Sequence, residues 1–197
     1  MVRRPLRLLP AIALALAALG CATAPARTIN TAGPSATGAA PADYYPLAVG
    51  QAWTYEIRGG GRTSRDTVKI VGQDGPWFLD DHRGRLRHEA DGVRDRDRYL
   101  LRAPLAAGKS WSAVEQMVVQ RFEVVATDAA ITVPAGTFER CVVIRNEQAI
   151  AAGGRYLTEW TYAPGVGLVS LKTRAAQGGK EQEQTSLQLV RFDKAIP

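Results

Sequence analysis

The sequence predicts an all-β protein: a single antiparallel curved sheet, half-barrel or barrel, built from two duplicated β-meanders with little helix. Three observations predict it. Apolar residues recur at every second position through most of residues 43–197, the period of a strand with one buried face. Turn signals rich in Gly, Pro and Asp separate these runs at spacings of about 8–12 residues, as in sandwiches and barrels. The chain also repeats itself, with a period of 58 residues between Pro46 and Pro104.

Taken in order, Trp53–Arg58 alternates Trp53, Tyr55 and Ile57 on one face with Thr54, Glu56 and Arg58 on the other, and Gly59-Gly60-Gly61 turns the chain. Thr63–Val71 is the second strand, closed by Gln73-Asp74-Gly75-Pro76. Trp77–Asp81 and Leu86–Ala90 flank an Arg83-Gly84 turn. Val93–Leu101, Val114–Ala126, Ile131–Val133, Thr137–Asn146, Tyr156–Tyr162, Gly167–Arg174 and Thr185–Phe192 complete the set, with Gly153-Gly154 and Pro164-Gly165 between them as turns. No segment carries a helical apolar stripe over about 11 residues.

The repeat has three parts. Pro46-Leu47-Ala48-Val49-Gly50-Gln51-Ala52-Trp53 returns as Pro104-Leu105-Ala106-Ala107-Gly108-Lys109-Ser110-Trp111. The apolar strand Val68-Lys69-Ile70-Val71 is echoed by Phe122-Glu123-Val124-Val125, and Ala90-Asp91-Gly92-Val93 by Ala163-Pro164-Gly165-Val166. Two copies are too few for a solenoid, so one closed or half-closed sheet fits them. Each half then opens with a Pro-Leu-x-x-Gly turn that aims a Trp into the core.

The N-terminus reads as an export signal. Arg3, Arg4 and Arg7 precede a 12-residue apolar run, Leu8–Leu19, and the small Gly20 precedes Cys21. Such a run spans roughly 18 Å as a helix, against a bilayer core of about 30 Å. A spanning helix is therefore not expected. Ala18-Leu19-Gly20-Cys21 resembles the lipobox of bacterial lipoprotein precursors. That resemblance implies cleavage before Cys21, lipidation of its thiol and amine, and, with Ala22 rather than Asp next, delivery to the outer membrane. Residues 1–20 are then the signal peptide, residues 21–42 the lipidated Cys with an Ala/Thr/Pro/Gly-rich linker, and residues 43–197 a β-rich periplasmic domain. Loss of three arginines with the signal leaves 22 basic and 19 acidic side chains, a net charge of +3 in place of +6. Nucleic acid is not an expected partner at that charge.

Within the domain, Tyr45-Pro46-Leu47 with Gly50 and Trp53-Thr54-Tyr55, then Val133-Pro134-Ala135-Gly136-Thr137-Phe138 with Cys141, then Glu159-Trp160 with Ala163-Pro164-Gly165-Val166-Gly167-Leu168-Val169, resemble an uncharacterised family of predicted bacterial lipoproteins. The chain is more loosely similar to periplasmic lipoprotein-carrier half-barrels. The resemblance implies a curved sheet able to hold acyl chains. Its motifs are turns, which specify a fold and say nothing of mechanism.

Signals for chemistry are weak, and no enzymatic activity and no cofactor are expected. His82 and His88 flank the Arg83-Gly84 turn beside Asp80, Asp81 and Glu89, but the arginines around them repel a metal cation. There is no G-x-S-x-G elbow, and Gly59-Gly60-Gly61 lacks the Lys-Ser/Thr of a phosphate loop. Cys141 sits among Val142, Val143 and Ile144 as a small buried hydrophobe. Two features remain as candidate sites. Trp53 and Tyr55 on one strand, with Tyr156, Trp160 and Tyr162 sharing parity on another, are candidate ligand-facing aromatics. Arg83, Arg85, Arg87, Arg94, Arg96 and Arg98 alternate as a candidate basic strip for lipid phosphate, or as charges that guard a sheet edge.

The expected activity is non-enzymatic binding of an apolar or amphipathic ligand. The alternative is an interaction module for another envelope protein or the cell wall. Either way, the membrane is reached through a lipid anchor. Cys21→Ser is expected to convert membrane-bound protein into soluble or unprocessed protein on fractionation. Processed Cys21→Ser protein that still sediments with membranes contradicts the anchor.

Overall fold

The computed structural model of the chain describes residues 38–115, 117–150 and 153–195. The signal segment, Cys21 and the linker as far as residue 37 lie outside the described residues. The alternating runs become twelve strands: β1 (Ala52–Gly59), β2 (Arg62–Asp74), β3 (Trp77–Asp80), β4 (Arg85–Glu89), β5 (Gly92–Arg94), β6 (Tyr99–Arg102), β7 (Ser110–Glu115), β8 (Val118–Val133), β9 (Gly136–Ala149), β10 (Arg155–Ala163), β11 (Gly167–Gln177) and β12 (Lys180–Asp193). One 3-10 turn, Pro41–Tyr44, precedes them.

All twelve strands form one sheet in the order β6-β5-β4-β3-β2-β1-β12-β11-β10-β9-β8-β7, antiparallel throughout. Every neighbour in the sheet is a neighbour in sequence except β1 and β12. The sheet is therefore two six-stranded meanders joined along β1–β12, curled until it nearly closes as a barrel. The edge strands β6 and β7 meet without a ladder. Side chains bridge the seam: the Trp111 indole N–H donates to the Tyr99 carbonyl at 3.1 Å, and Arg98 pairs with Glu115 at 3.1 Å.

The repeat in the sequence is a repeat in space. Gly50 and Gly108 both take positive φ, 93° and 82°, which a side chain resists. Gly50 N–H donates to the Ile70 carbonyl at 2.8 Å, and Gly108 N–H to the Val124 carbonyl at 2.8 Å. The return bonds match as well: Ile70 N–H to the Gln51 carbonyl at 2.9 Å, Val124 N–H to the Lys109 carbonyl at 2.8 Å. Trp53 and Trp111 then begin the first strands of the two meanders, 1% and 7% exposed. The third echo joins equivalent strands too, as the β4–β5 turn in one half and the β10–β11 turn in the other.

Two clusters of buried side chains fill the barrel. One gathers Trp53, Tyr55, Ile70, Phe138, Val169 and Leu189. The other gathers Tyr44, Val93, Trp111, Phe122, Ile144 and Tyr162. Tyr45 packs against both, its ring 5.7 Å from Trp53 and 5.9 Å from Tyr162. The 3-10 turn reaches this interior, so Ala39 and Tyr44 are buried. The Tyr44 hydroxyl donates to the Arg140 carbonyl at 2.9 Å, and Gly165 N–H donates to the Asp43 carbonyl at 2.7 Å.

Ile131–Val133 is the end of β8 rather than a strand of its own, and two other segments break where the sequence predicts one strand. Val93–Leu101 is not one strand. Asp95 Oδ1 accepts the backbone N–H groups of Asp97 and Arg98, at 2.8 and 2.7 Å, and so turns the chain between β5 and β6. Val114–Ala126 is not one strand either. Met117 adopts φ 62° and reverses the chain, so that Val114 faces Val119 across β7–β8.

Trp53→Ala and Trp111→Ala are each expected to cost about 3–5 kcal/mol, the range for a buried aromatic truncated in a core. Urea unfolding of the two variants checks this. A near-wild-type midpoint for either one contradicts its role as an anchor of its half.

Candidate functional site

The strand register carries one line of side chains across the inward face. Ile57 on β1 lies opposite Leu187 on β12, Leu187 opposite Leu171 on β11, Leu171 opposite Trp160 on β10, and Trp160 opposite Ile144 on β9. Ile57 shares its parity with the core residues Trp53 and Tyr55, so the line faces inward. Ile144 is buried, whereas Ile57, Leu187, Leu171 and Trp160 are only half-buried. They form an apolar shelf over four adjacent strands that the core covers only in part.

The next line outward is polar as far as Asn146 and ends at the Phe122 ring. Gly59, Thr185, Thr173, Thr158, Asn146 and Phe122 are successive cross-strand partners from β1 to β8. The Thr158 and Thr173 hydroxyls share a hydrogen bond at 3.2 Å. Buried Asn146 donates from Nδ2 to Gln120 Oε1 at 3.0 Å and to the Arg121 carbonyl at 2.9 Å. Tyr156, 39% exposed, stands opposite Gln148 beyond this line. The open end of the barrel thus presents apolar contacts below and hydroxyl and amide groups above.

Arg98 occupies one side of that end. Its guanidinium lies 4.6 Å from the Phe122 ring centre and 4.9 Å from that of Trp160, within cation–π range. Beside it a groove of about 550 Å³ is lined by Asp97, Glu115, Val118, Gln120 and Gln148, among others.

The candidate aromatics divide. Trp53, Tyr55 and Tyr162 are core residues rather than ligand-facing ones, 1%, 5% and 2% exposed. Their polar atoms are used inside: the Trp53 indole donates to the Val166 carbonyl at 2.7 Å and the Tyr55 hydroxyl to the Leu168 carbonyl at 3.1 Å. Burial holds the Tyr55 and Tyr162 phenols well above their ordinary pKa. Trp160 and Tyr156, farther along β10, reach the open end.

The basic strip does not form, because the Asp95 turn breaks the extended run that alternation requires. Arg83 sits in the β3–β4 turn at φ 68°. Arg85 pairs with Asp74 at 3.6 Å. Arg87 and Arg94 are cross-strand partners, and both pair with Glu89. Arg96 is exposed at the tip of the turn, and Arg98 is drawn into the barrel mouth. Tyr99 completes the Glu89 network by donating its hydroxyl to Glu89 Oε2 at 2.9 Å and Asp91 Oδ1 at 3.0 Å. The bond to Glu89 raises the Tyr99 pKa to about 12, and the bond from Tyr99 lowers that of Glu89.

The remaining candidates for chemistry are dispersed. His88 Nε2 lies 2.8 Å from the Tyr45 carbonyl, and His82 Nε2 lies 3.6 Å from Asp66. Among the described residues, no three His, Cys, Asp or Glu side chains gather as a metal site. Cys141 is fully buried, and desolvation pushes its thiol up to about 12, far from a reactive thiolate at neutral pH. Sequence reasoning missed Leu171, Leu187 and the inward threonines as a site. Their alternation was visible, but the register that aligns them across strands was not.

Comparison with protein-family models and with curated proteins finds no match. Two solved structures are similar in shape. A protein from Bacteroides fragilis described as exported, with a YmcC-like fold, shares 14% identity over 76% of this chain and 98% of its own, with a TM-score of 0.44. A protein from Parabacteroides distasonis described as a lipoprotein shares 12% identity over the same fractions, again with a TM-score of 0.44.

Proposed function

We propose that this chain is a lipoprotein of the bacterial envelope, anchored in the outer membrane through Cys21. In this reading its barrel is a non-enzymatic periplasmic module that binds an amphipathic ligand. The observation that carries the reading is the half-buried shelf Ile57–Leu187–Leu171–Trp160, bordered by Thr185, Thr173 and Thr158. An alkyl chain laid across the shelf removes apolar surface from water on both partners, at about 25 cal/mol per Å². The threonine line and the Asn146–Gln120 pair offer hydrogen bonds to the polar end of the same molecule. The lipidation signal supplies the compartment in which such ligands are abundant.

A second reading rests on a different observation. The β7–β8 hairpin exposes Val114, Met117, Val118 and Val119 by 68%, 97%, 46% and 70%. An apolar tip of that kind suits a docking contact with another envelope protein.

Leu171→Glu separates the two. It places a carboxylate on the shelf without touching the hairpin. The full chain carrying Cys21→Ser, titrated with dodecyl amphiphiles, is expected to lose at least about tenfold in affinity on addition of Leu171→Glu, one decade being about 1.4 kcal/mol. Cooperative unfolding should be retained, because Leu171 is only half-buried. Unchanged affinity contradicts the shelf as the binding surface.

A further inference from the structure

We infer that Arg98 reads the headgroup of the ligand, and that this ligand is an amphiphile bearing one oxyanion, phosphate or carboxylate, with an added cationic group favoured. The inference rests on the amphiphile reading above and specifies its chemistry. Arg98 is not held as a surface arginine is. Its side chain is 16% exposed, and its guanidinium lies over Phe122 and Trp160. These rings fix the guanidinium and leave its edge donors free to point away from them. Only Nε has a partner, Glu115 Oε1 at 3.1 Å; among the described residues, neither Nη atom donates to any group. A guanidinium fixed in one plane with both Nη groups unused suits a two-pronged oxyanion.

Position links this donor to the shelf. Trp160 is the last half-buried member of the apolar line, and it is also one of the two rings beneath Arg98. A chain lying along Ile57, Leu187 and Leu171 therefore ends beside the guanidinium. The 550 Å³ groove opens there, with the Gln120 and Gln148 amides on its wall. Gln120 Oε1 is already taken by Asn146, which leaves its Nε2 as a donor toward the groove.

The carboxylates narrow the class. Asp95, Asp97 and Glu115 line the groove, and Arg98 is the one basic residue among the described residues that line it. The surroundings are thus net negative, which disfavours a polyanion. Asp95 is committed to its own turn, whereas Asp97 is exposed and its carboxylate has no partner among the described residues. A zwitterionic headgroup sets its oxyanion on Arg98 and its cation toward Asp97. Glu115, 34% exposed, holds Nε beside that place and sets a negative charge next to the incoming oxyanion.

The test uses the full chain with Cys21→Ser and three probes of equal chain length: dodecylphosphocholine, laurate and monolaurin, each below its micelle-forming concentration. Calorimetric titration is expected to rank dodecylphosphocholine first and laurate second, with neutral monolaurin about tenfold weaker than the first. Arg98→Gln should abolish that preference and leave monolaurin unchanged, and Arg98→Lys should recover only part of it. Glu115→Gln should tighten dodecylphosphocholine several-fold by removing the negative charge beside the oxyanion. If Arg98 merely braces the β6–β7 seam, Glu115→Gln loosens the mouth and weakens all three probes alike, which overturns the assignment. Equal binding of the three probes to the parent chain overturns it too, while the shelf survives. Binding of none of them overturns the amphiphile reading and the headgroup assignment together.

Discussion

Two indole N–H groups hold the halves of this barrel to each other. Trp53, from the first meander, donates to the Val166 carbonyl in a turn of the second. Trp111, from the second, donates to the Tyr99 carbonyl in the first. Each Trp is delivered by the same device, a glycine at positive φ whose neighbours bond the second strand of its own meander. A buried carbonyl that loses its donor costs about 1–3 kcal/mol, so each indole is bound both by its packing and by its hydrogen bond. Beyond the two clasps, the meanders share the β1–β12 ladder, the Tyr55–Leu168 hydrogen bond and the contacts of Arg98 with Glu115, Phe122 and Trp160.

The clasp of Trp53 also decides which end of the barrel is filled. It holds the β10–β11 turn inward, where Gly165 N–H meets the Asp43 carbonyl of the 3-10 turn, while Tyr45 and Phe192 pack on the Trp53 ring itself. Polypeptide plugs that end. Among the described residues, the opposite end, where β1 finishes at Gly59 and β10 begins at Arg155, receives no such insertion, and Ile57, Leu187, Leu171 and Trp160 stay half-buried there. The apolar shelf is thus the part of the interior that the duplication does not fill. Arg98 marks its border because the Asp95 turn carries the arginine across the seam to Glu115.

Much of this fold was legible in the sequence because strand alternation and turn chemistry are local. The pairing of Gly50 with Gly108 and of Ile70 with Val124 was readable from spacing alone, since the same turn recurs with the same partners. The arginines were misread for a local reason as well. Alternation in Arg94-Asp95-Arg96-Asp97-Arg98 is also what a tight turn capped by Asp95 looks like, and the side-chain acceptor decides in favour of the turn. The Val114–Val119 run was misread because its β-branched residues favour a strand and nothing in it signals a reversal at Met117. The shelf was illegible for a non-local reason. Ile57, Leu171 and Leu187 are separated by up to 130 positions and become neighbours only through register. Bulges at Thr54/Tyr55 and Thr161/Tyr162 set that register, and no pattern within a single strand reports them.

The central claim is that an alkyl chain lies along the inward faces of β10, β11 and β12. Photolabelling with a dodecyl amphiphile that carries a diazirine at its chain end, followed by peptide mapping of the full chain, tests it most directly. The account predicts label on Leu187 and Ile57, the end of the shelf far from Arg98, competed away by unlabelled dodecylphosphocholine. Label confined to Val114, Met117, Val118 and Val119 contradicts it and makes the β7–β8 hairpin the apolar surface that the protein uses.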